Sequence, residues 1–170
     1  MSSSPFPSYS LKLKDVIKCE SLIDNKGNIV SIDTLKNKVV GLYFSAHWCG
    51  PCKTFTPQLI SFYEEMKKQN KEFEIIFCSL DGDEDMFINY FNKMPWLSLV
   101  WVDGQGASMA STCEVKQMPS LLIFSKNDGN LISKTGVSDI KKFCGAQAAK
   151  SHKPEDFKQI ANTLSLTWGY

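Results

Sequence analysis

The chain contains no arginine; all nineteen of its basic side chains are lysine. No site here can grip a carboxylate or phosphate with the planar fork of guanidinium. Any anion must be held by ammonium charges, backbone N–H groups or helix ends. An excess of one charge sign is also missing: nineteen bases against eighteen acids leave +1. That removes the simplest electrostatic case for a nucleic-acid or polybasic membrane protein. No apolar run approaches the roughly 18 residues of a membrane span. The Ser- and Pro-rich start lacks the basic stretch and apolar core of a secretion signal. Glycine and proline number only 10 and 7, so neither a collagen nor a Pro/Gly-rich disordered chain is in view. Six cysteines in 170 residues are too sparse for a disulfide scaffold. In a reducing compartment such cysteines are free, metal-bound or catalytic. What is left is a globular protein, 43% hydrophobic and long enough for one sizeable core; it is expected in the cytoplasm, with the nucleus as second compartment, and as a monomer.

The chain divides into a flexible leader over 1–15, one domain over 16–149 and a helical extension over 150–170. Residues 16–23 and 28–32 flank the turn cluster Asp24-Asn25-Lys26-Gly27 and read as a hairpin, with Cys19 in phase on its first strand. The apolar run from Val39 to Phe44 reads as a central strand covered on both faces. Phe55, Leu59, Phe62, Tyr63 and Met66 then mark one face of a helix, which Pro57 is expected to kink. Residues 73–80 form a second β-rich run. The acidic stretch Asp81-Gly82-Asp83-Glu84-Asp85 reads as a loop and helix start rather than a metal loop. Met86, Phe87, Tyr90, Phe91 and Met94 predict a second amphipathic helix, stopped by Pro95. A strand over 97–102 and a short helix within 107–117 follow. Residues 121–125 and 131–135 flank Asn127-Asp128-Gly129-Asn130, a second hairpin, and 138–149 suit a helix. Beyond it, Pro154, Phe157, Ile160 and Leu164 suggest a last helix, and Trp168 a tail anchor or docking element. Alternating strands and helices imply parallel strands, and the late hairpin adds an antiparallel pair. The expected fold is α/β: a mixed sheet with helices on both faces, an N-terminal hairpin and a C-terminal helical extension.

The chemistry concentrates in Trp48-Cys49-Gly50-Pro51-Cys52, where the first central strand becomes the long helix. Two intervening residues let the sulfurs meet across one turn, so the pair can close a disulfide and reopen it. Cys49 at the helix start is favoured as thiolate by the unpaired N–H groups and the positive dipole end. The thiolate is the nucleophile of disulfide exchange. Cys52, one turn inside, is the resolving thiol: it attacks the Cys49 sulfur and releases the reduced substrate. Pro51 in the first turn costs no helical hydrogen bond. A CxxC pair can also bind zinc, but a structural site needs four ligands and Cys19, Cys78, Cys113 and Cys144 are isolated. His47 is expected on the exposed rim, tuning Cys49. Trp48 offers partners an apolar contact, Trp96 and Trp101 read as structural, and Cys113 is expected to be more exposed than Cys78.

The string WCGPCK with Pro57 five residues after Cys52, and Met118-Pro119 before an apolar strand, resemble the thioredoxin superfamily. YFSAHWCGPCKTFTPQLISFYEEM, FEIIFCSLDGDEDMF and YFNKMPWLSL are similar to its tryparedoxin and nucleoredoxin branch. The resemblance implies a thioredoxin-like fold, a cis Pro119 facing the cysteine pair, and Met118 offering backbone groups to a substrate chain. It adds Trp48, Gly50, Pro51, Met118 and Pro119 as the substrate-contacting set. It implies no cofactor and no metal. It implies protein disulfides as acceptors, peroxiredoxins among them, and a low-molecular-weight dithiol or a reductase as donor, in a glutathione-, trypanothione- or thioredoxin-reductase-linked pathway. Gly50-Pro51 stands where that branch usually has Pro-Pro, and matches thioredoxin, whose potential is about −270 mV. Leu80 stands where many tryparedoxins carry Trp, and Lys53 where they carry Arg. Tyr43 replaces the buried Asp that thioredoxins place six residues before the first cysteine. An unperturbed phenol, with a pKa of about 10, is a poor base at neutral pH. The loop at Asp81, Asp83 and Glu84 is expected to supply the carboxylate instead. The competing reading is a thioredoxin-fold interaction module with little general reductase activity.

Overall fold

The structure, a computed structural model, describes residues 11–148. The ten residues before them, and the expected extension with Trp168 after them, lie outside the described part. Its strands are β1 (Ser21–Ile23), β2 (Ile29–Ser31), β3 (Val39–Ser45), β4 (Phe73–Ser79), β5 (Leu97–Leu99), β6 (Ser120–Phe124) and β7 (Leu131–Ser133). The helices are α1 (Leu13–Val16), α2 (Gly50–Lys68), α3 (Glu84–Phe91), α4 (Gln105–Thr112) and α5 (Gly136–Ala148). The strands form one sheet in the order β2-β1-β5-β4-β3-β6-β7. β3, β4 and β5 run parallel, joined by α2 and α3 as crossovers. Antiparallel partners close both flanks: β1 and β2 beside β5, and β6 and β7 beside β3.

Continuous apolar strands produce this layering because both faces are covered. Val39 and Tyr43 of β3, Phe73, Ile75 and Phe77 of β4, and Leu121 and Ile123 of β6 meet α2, α3 and α5 on one face. Their alternate neighbours Val40, Leu42, Phe44, Ile76, Cys78, Leu122 and Phe124 meet α1 and α4 on the other. Trp96 is fully buried and Trp101 stacks on Phe87 with ring centroids 5.5 Å apart, so both tryptophans are structural as expected. Gly106 lets α4 press onto the end of β4, since a Cβ there would sit 1.8 Å from the Ser79 carbonyl oxygen.

Three local expectations are corrected. The first strand does not begin at 16: α1 covers Leu13–Val16, and pairing starts at Ser21. The Leu13 N–H donates to the Gly129 carbonyl at 2.9 Å, and Val16 and Ile17 are buried under the sheet. Cys19 lies between α1 and β1, half-buried. The fifth strand ends at Leu99, not 102: pairing with β1 stops at Leu22–Leu99, and beyond it Val100 and Val102 are exposed. Met86 leaves the apolar stripe of its helix and is exposed, whereas Phe87, Tyr90, Phe91 and Met94 are buried. The helix itself starts where the acidic stretch indicates: the Asp83 carboxylate caps α3 by accepting the Met86 N–H at 2.8 Å.

Candidate functional site

β3 ends at Ser45, at the C-terminal end of the parallel strands, and α2 begins five residues later at Gly50. Cys49 is the cap of that helix. Its backbone is extended, with φ −87° and ψ 111°, and its sulfur accepts the Cys52 N–H at 3.3 Å. Pro51 occupies the first turn, where its missing N–H costs nothing, and α2 continues through Pro57 as one element. Cys49 and Cys52 are joined in a disulfide, their Cα atoms 5.2 Å apart. Cys52 is fully buried and Cys49 is 7% exposed. Beside them Trp48 is 60% exposed, and Gly50 and Pro51 are exposed as well. Met118 and Leu80 pack against the pair with Ala46. The Met118–Pro119 bond is cis. The structure thus brings Trp48, Gly50, Pro51 and Met118 around the disulfide, with Pro119 following directly.

Two clefts open beside this cluster. One, of about 680 Å³, is lined by Leu80 and Met118 on the disulfide side and by Ala107, Ala110 and Val115 along its length. The other, of about 500 Å³, lies past Pro119 and carries Lys134, Lys141 and Lys142.

The electrostatic surroundings differ from expectation. The Asp81 carboxylate is committed elsewhere. It accepts the His47 N–H at 2.7 Å and the Ser79 hydroxyl at 2.9 Å. Asp83 is spent on the cap of α3, and Glu84 is exposed in its first turn. Asp81 therefore ties down the backbone that leads into Trp48 and Cys49. His47 is half-buried rather than on the rim, its ring edge-on to Tyr90 at 6.1 Å. Tyr43 is fully buried, and burial pushes its phenol well above the ordinary range, so it serves as a donor and not a base. Cys113 is buried, only marginally more exposed than Cys78, and desolvation raises its thiol to about 11. Desolvation raises Cys78 and Cys144 in the same direction. Those thiols are poor nucleophiles at neutral pH.

Sequence reasoning missed Ser45, Thr56 and Tyr90. The Thr56 hydroxyl donates to the Cys52 carbonyl at 2.8 Å and lies 2.8 Å from the Tyr43 hydroxyl and 2.7 Å from that of Tyr90. Ser45 meets Tyr90 at 2.9 Å. The i,i+4 spacing of Cys52 and Thr56 was a usable signal, since Thr in a helix bonds back one turn. Nothing local announces Tyr90, which arrives from another helix.

A thioredoxin-like family profile matches residues 37–131, which span β3 to β6 and include Trp48, Cys49, Gly50, Pro51, Cys52, Met118 and Pro119. The chain belongs to the thioredoxin-like family. Its sequence is 41% identical over 140 residues to probable nucleoredoxin 1 of Arabidopsis thaliana, covering 82% of this chain and 24% of that protein. It is 36% identical over 116 residues to the nucleoredoxin of Mus musculus, covering 68% of this chain and 26% of that protein. The chain thus spans about a quarter of the length of these relatives. Native tryparedoxin I of Crithidia fasciculata superposes with a TM-score of 0.71 at 34% identity, covering 76% of this chain and 90% of that one. A tryparedoxin II complexed with glutathionylspermidine gives 0.71 at 32% identity, covering 79% and 94%. These likenesses place the chain in the tryparedoxin and nucleoredoxin branch of the thioredoxin superfamily, as its motifs imply, and support thiol–disulfide redox chemistry. Among the described residues no helix is long and apolar enough to cross a membrane.

Proposed function

We propose that this protein reduces protein disulfides through a dithiol–disulfide cycle of Cys49 and Cys52. The observation that carries the reading is Cys49 at the cap of α2, disulfide-linked to a buried Cys52. In the reduced protein the Cys49 thiolate, favoured by the helix N-terminus, attacks a substrate disulfide and releases one substrate thiolate. The Cys52 thiol then gives up its proton to solvent, and its sulfur attacks Cys49. The mixed disulfide breaks, the second substrate thiolate leaves, and the Cys49–Cys52 disulfide holds the oxidising equivalents. A donor dithiol reverses the process. Trp48, Gly50, Pro51, Met118 and Pro119 receive the substrate chain, and the cleft shared by Leu80 and Met118 extends that surface.

Protein acceptors of the peroxiredoxin type fit an exposed tryptophan beside the nucleophile. A small dithiol or a reductase fits as donor, and the glutathionylspermidine bound to a tryparedoxin II of the same fold supports the small-molecule class. The protein works as a monomer in the cytoplasm, with the nucleus as second location. The exposed Trp48 with Val100 and Val102 also favours a second reading, an interaction module. Dithiothreitol-driven reduction of insulin separates the two. Turnover by the wild type that falls to the uncatalysed background in Cys49→Ser establishes the reductase. A folded wild type with no turnover leaves the interaction module.

A further inference from the structure

The Cys52 carbonyl is held by hydroxyls that take no part in the exchange chemistry. Proton counting fixes their directions. Thr56 has one hydroxyl proton, and it goes to the Cys52 carbonyl. Tyr43 and Tyr90 must therefore each donate to Thr56, filling both of its lone pairs, and Ser45 must donate to Tyr90. All four side chains are buried. They come from β3, α2 and α3, so the network ties the redox turn to the sheet and to a second helix.

The tie sits where α2 is weakest. Pro57 has no N–H, so the Lys53 carbonyl has no i+4 donor, and the turn carrying Cys52 lacks one helical rung. The next residue back, Thr56, adds the side-chain bond to the Cys52 carbonyl. Cys52 must present its sulfur to the Cys49 sulfur in line, and small displacements are costly in such steps.

We propose that Thr56, fixed by Tyr90 and Tyr43, is a positioning residue that holds Cys52 for its attack on the Cys49 mixed disulfide. This rests on the reading that Cys49 attacks and Cys52 resolves. The test uses reduced full-length protein carrying Cys19→Ser, which removes the half-buried free thiol among the described residues, mixed with an equimolar amount of dithiobis(nitrobenzoate). Attack by Cys49 breaks the reagent's disulfide and releases one nitrothiobenzoate. Attack by Cys52 breaks the adduct, closes the protein disulfide and releases a second. The two coloured products report the two steps separately.

Thr56→Val keeps the branched shape and removes the hydroxyl. It should slow the second phase about tenfold, the rate equivalent of one net hydrogen bond, and leave the first within about twofold. Thr56→Ser restores the hydroxyl and should restore the second phase. Tyr90→Phe keeps the ring, removes one donor and should slow the second phase about threefold; it carries the test if Thr56→Val does not fold. An unchanged second phase in both hydroxyl-deletion variants overturns the proposal. So does equal slowing of both phases, which would mean general loosening. Failure of the underlying reading looks different: the first phase would persist in Cys49→Ser.

Discussion

Asp81 gives the most quantitative handle on how the redox turn is held. Its carboxylate is 6% exposed and accepts two hydrogen bonds, from the His47 N–H and the Ser79 hydroxyl. Among the described residues no ammonium lies within ion-pair distance of it. Asp81→Ala deletes both bonds and leaves the His47 N–H without its acceptor. Bonds to a charged acceptor contribute about 1.5–3 kcal/mol each. Removing an unpaired buried charge returns part of that. The net loss should be about 2 kcal/mol, or ~4–8 °C in melting temperature for a domain of this size. Asp81→Asn keeps the geometry, since its amide oxygen accepts from His47 and its amide nitrogen donates to the Ser79 oxygen. It should cost about 1 kcal/mol or less. Urea denaturation of the oxidised proteins, with equal m-values, measures both. The reasoning fails if Ala is within about 0.5 kcal/mol of wild type, or if Asn costs as much as Ala.

Glu74 is buried between the Tyr63 hydroxyl at 2.8 Å and the Lys67 ammonium at 3.3 Å. Glu74→Ala should cost about 2–3 kcal/mol in urea denaturation because it orphans a buried phenol, while leaving insulin reduction intact. Burial raises Cys113 from 9.0 to about 11, so the folded state favours the neutral thiol. Its contribution is complete below pH 9 and is lost as pH rises toward 11; stability measured across that window should fall less steeply in Cys113→Ala. The same burial predicts that iodoacetamide at neutral pH labels Cys49 of the reduced protein long before Cys78 or Cys113, which mass mapping reads directly. Trp48→Ala should raise KM for insulin about tenfold, with little effect on dithiobis(nitrobenzoate), if its exposed ring contacts protein substrates.

The sheet was legible because its central strands are apolar on both faces, and Val39 to Phe44 announces that without any partner in view. The helix start at Cys49 was legible because a cap, a first-turn proline and a change of period coincide there. What the sequence concealed is long-range. Asp81 bonds to His47 from thirty-four residues away, and Tyr90 reaches Thr56 across the same separation. Both residues fit bland local patterns, an acidic loop and an apolar helix face. Cys113 falls in a weakly patterned stretch with no local signal of burial, and as the C-cap of α4 it packs into the second core. Short elements misled for a related reason. Four residues of α1 and three of β5 carry no periodicity of their own and take their conformation from neighbours.

The division of labour between the two cysteines is tested most directly by trapping. Cys52→Ser and Cys49→Ser, each reduced, are mixed with oxidised insulin, and the adducts are mapped by mass spectrometry. The account predicts a lasting mixed disulfide on Cys49 of the Cys52→Ser protein, and none on Cys52 of the Cys49→Ser protein, whose thiol is buried. An adduct on Cys52, with Cys49 unmodified, would contradict it.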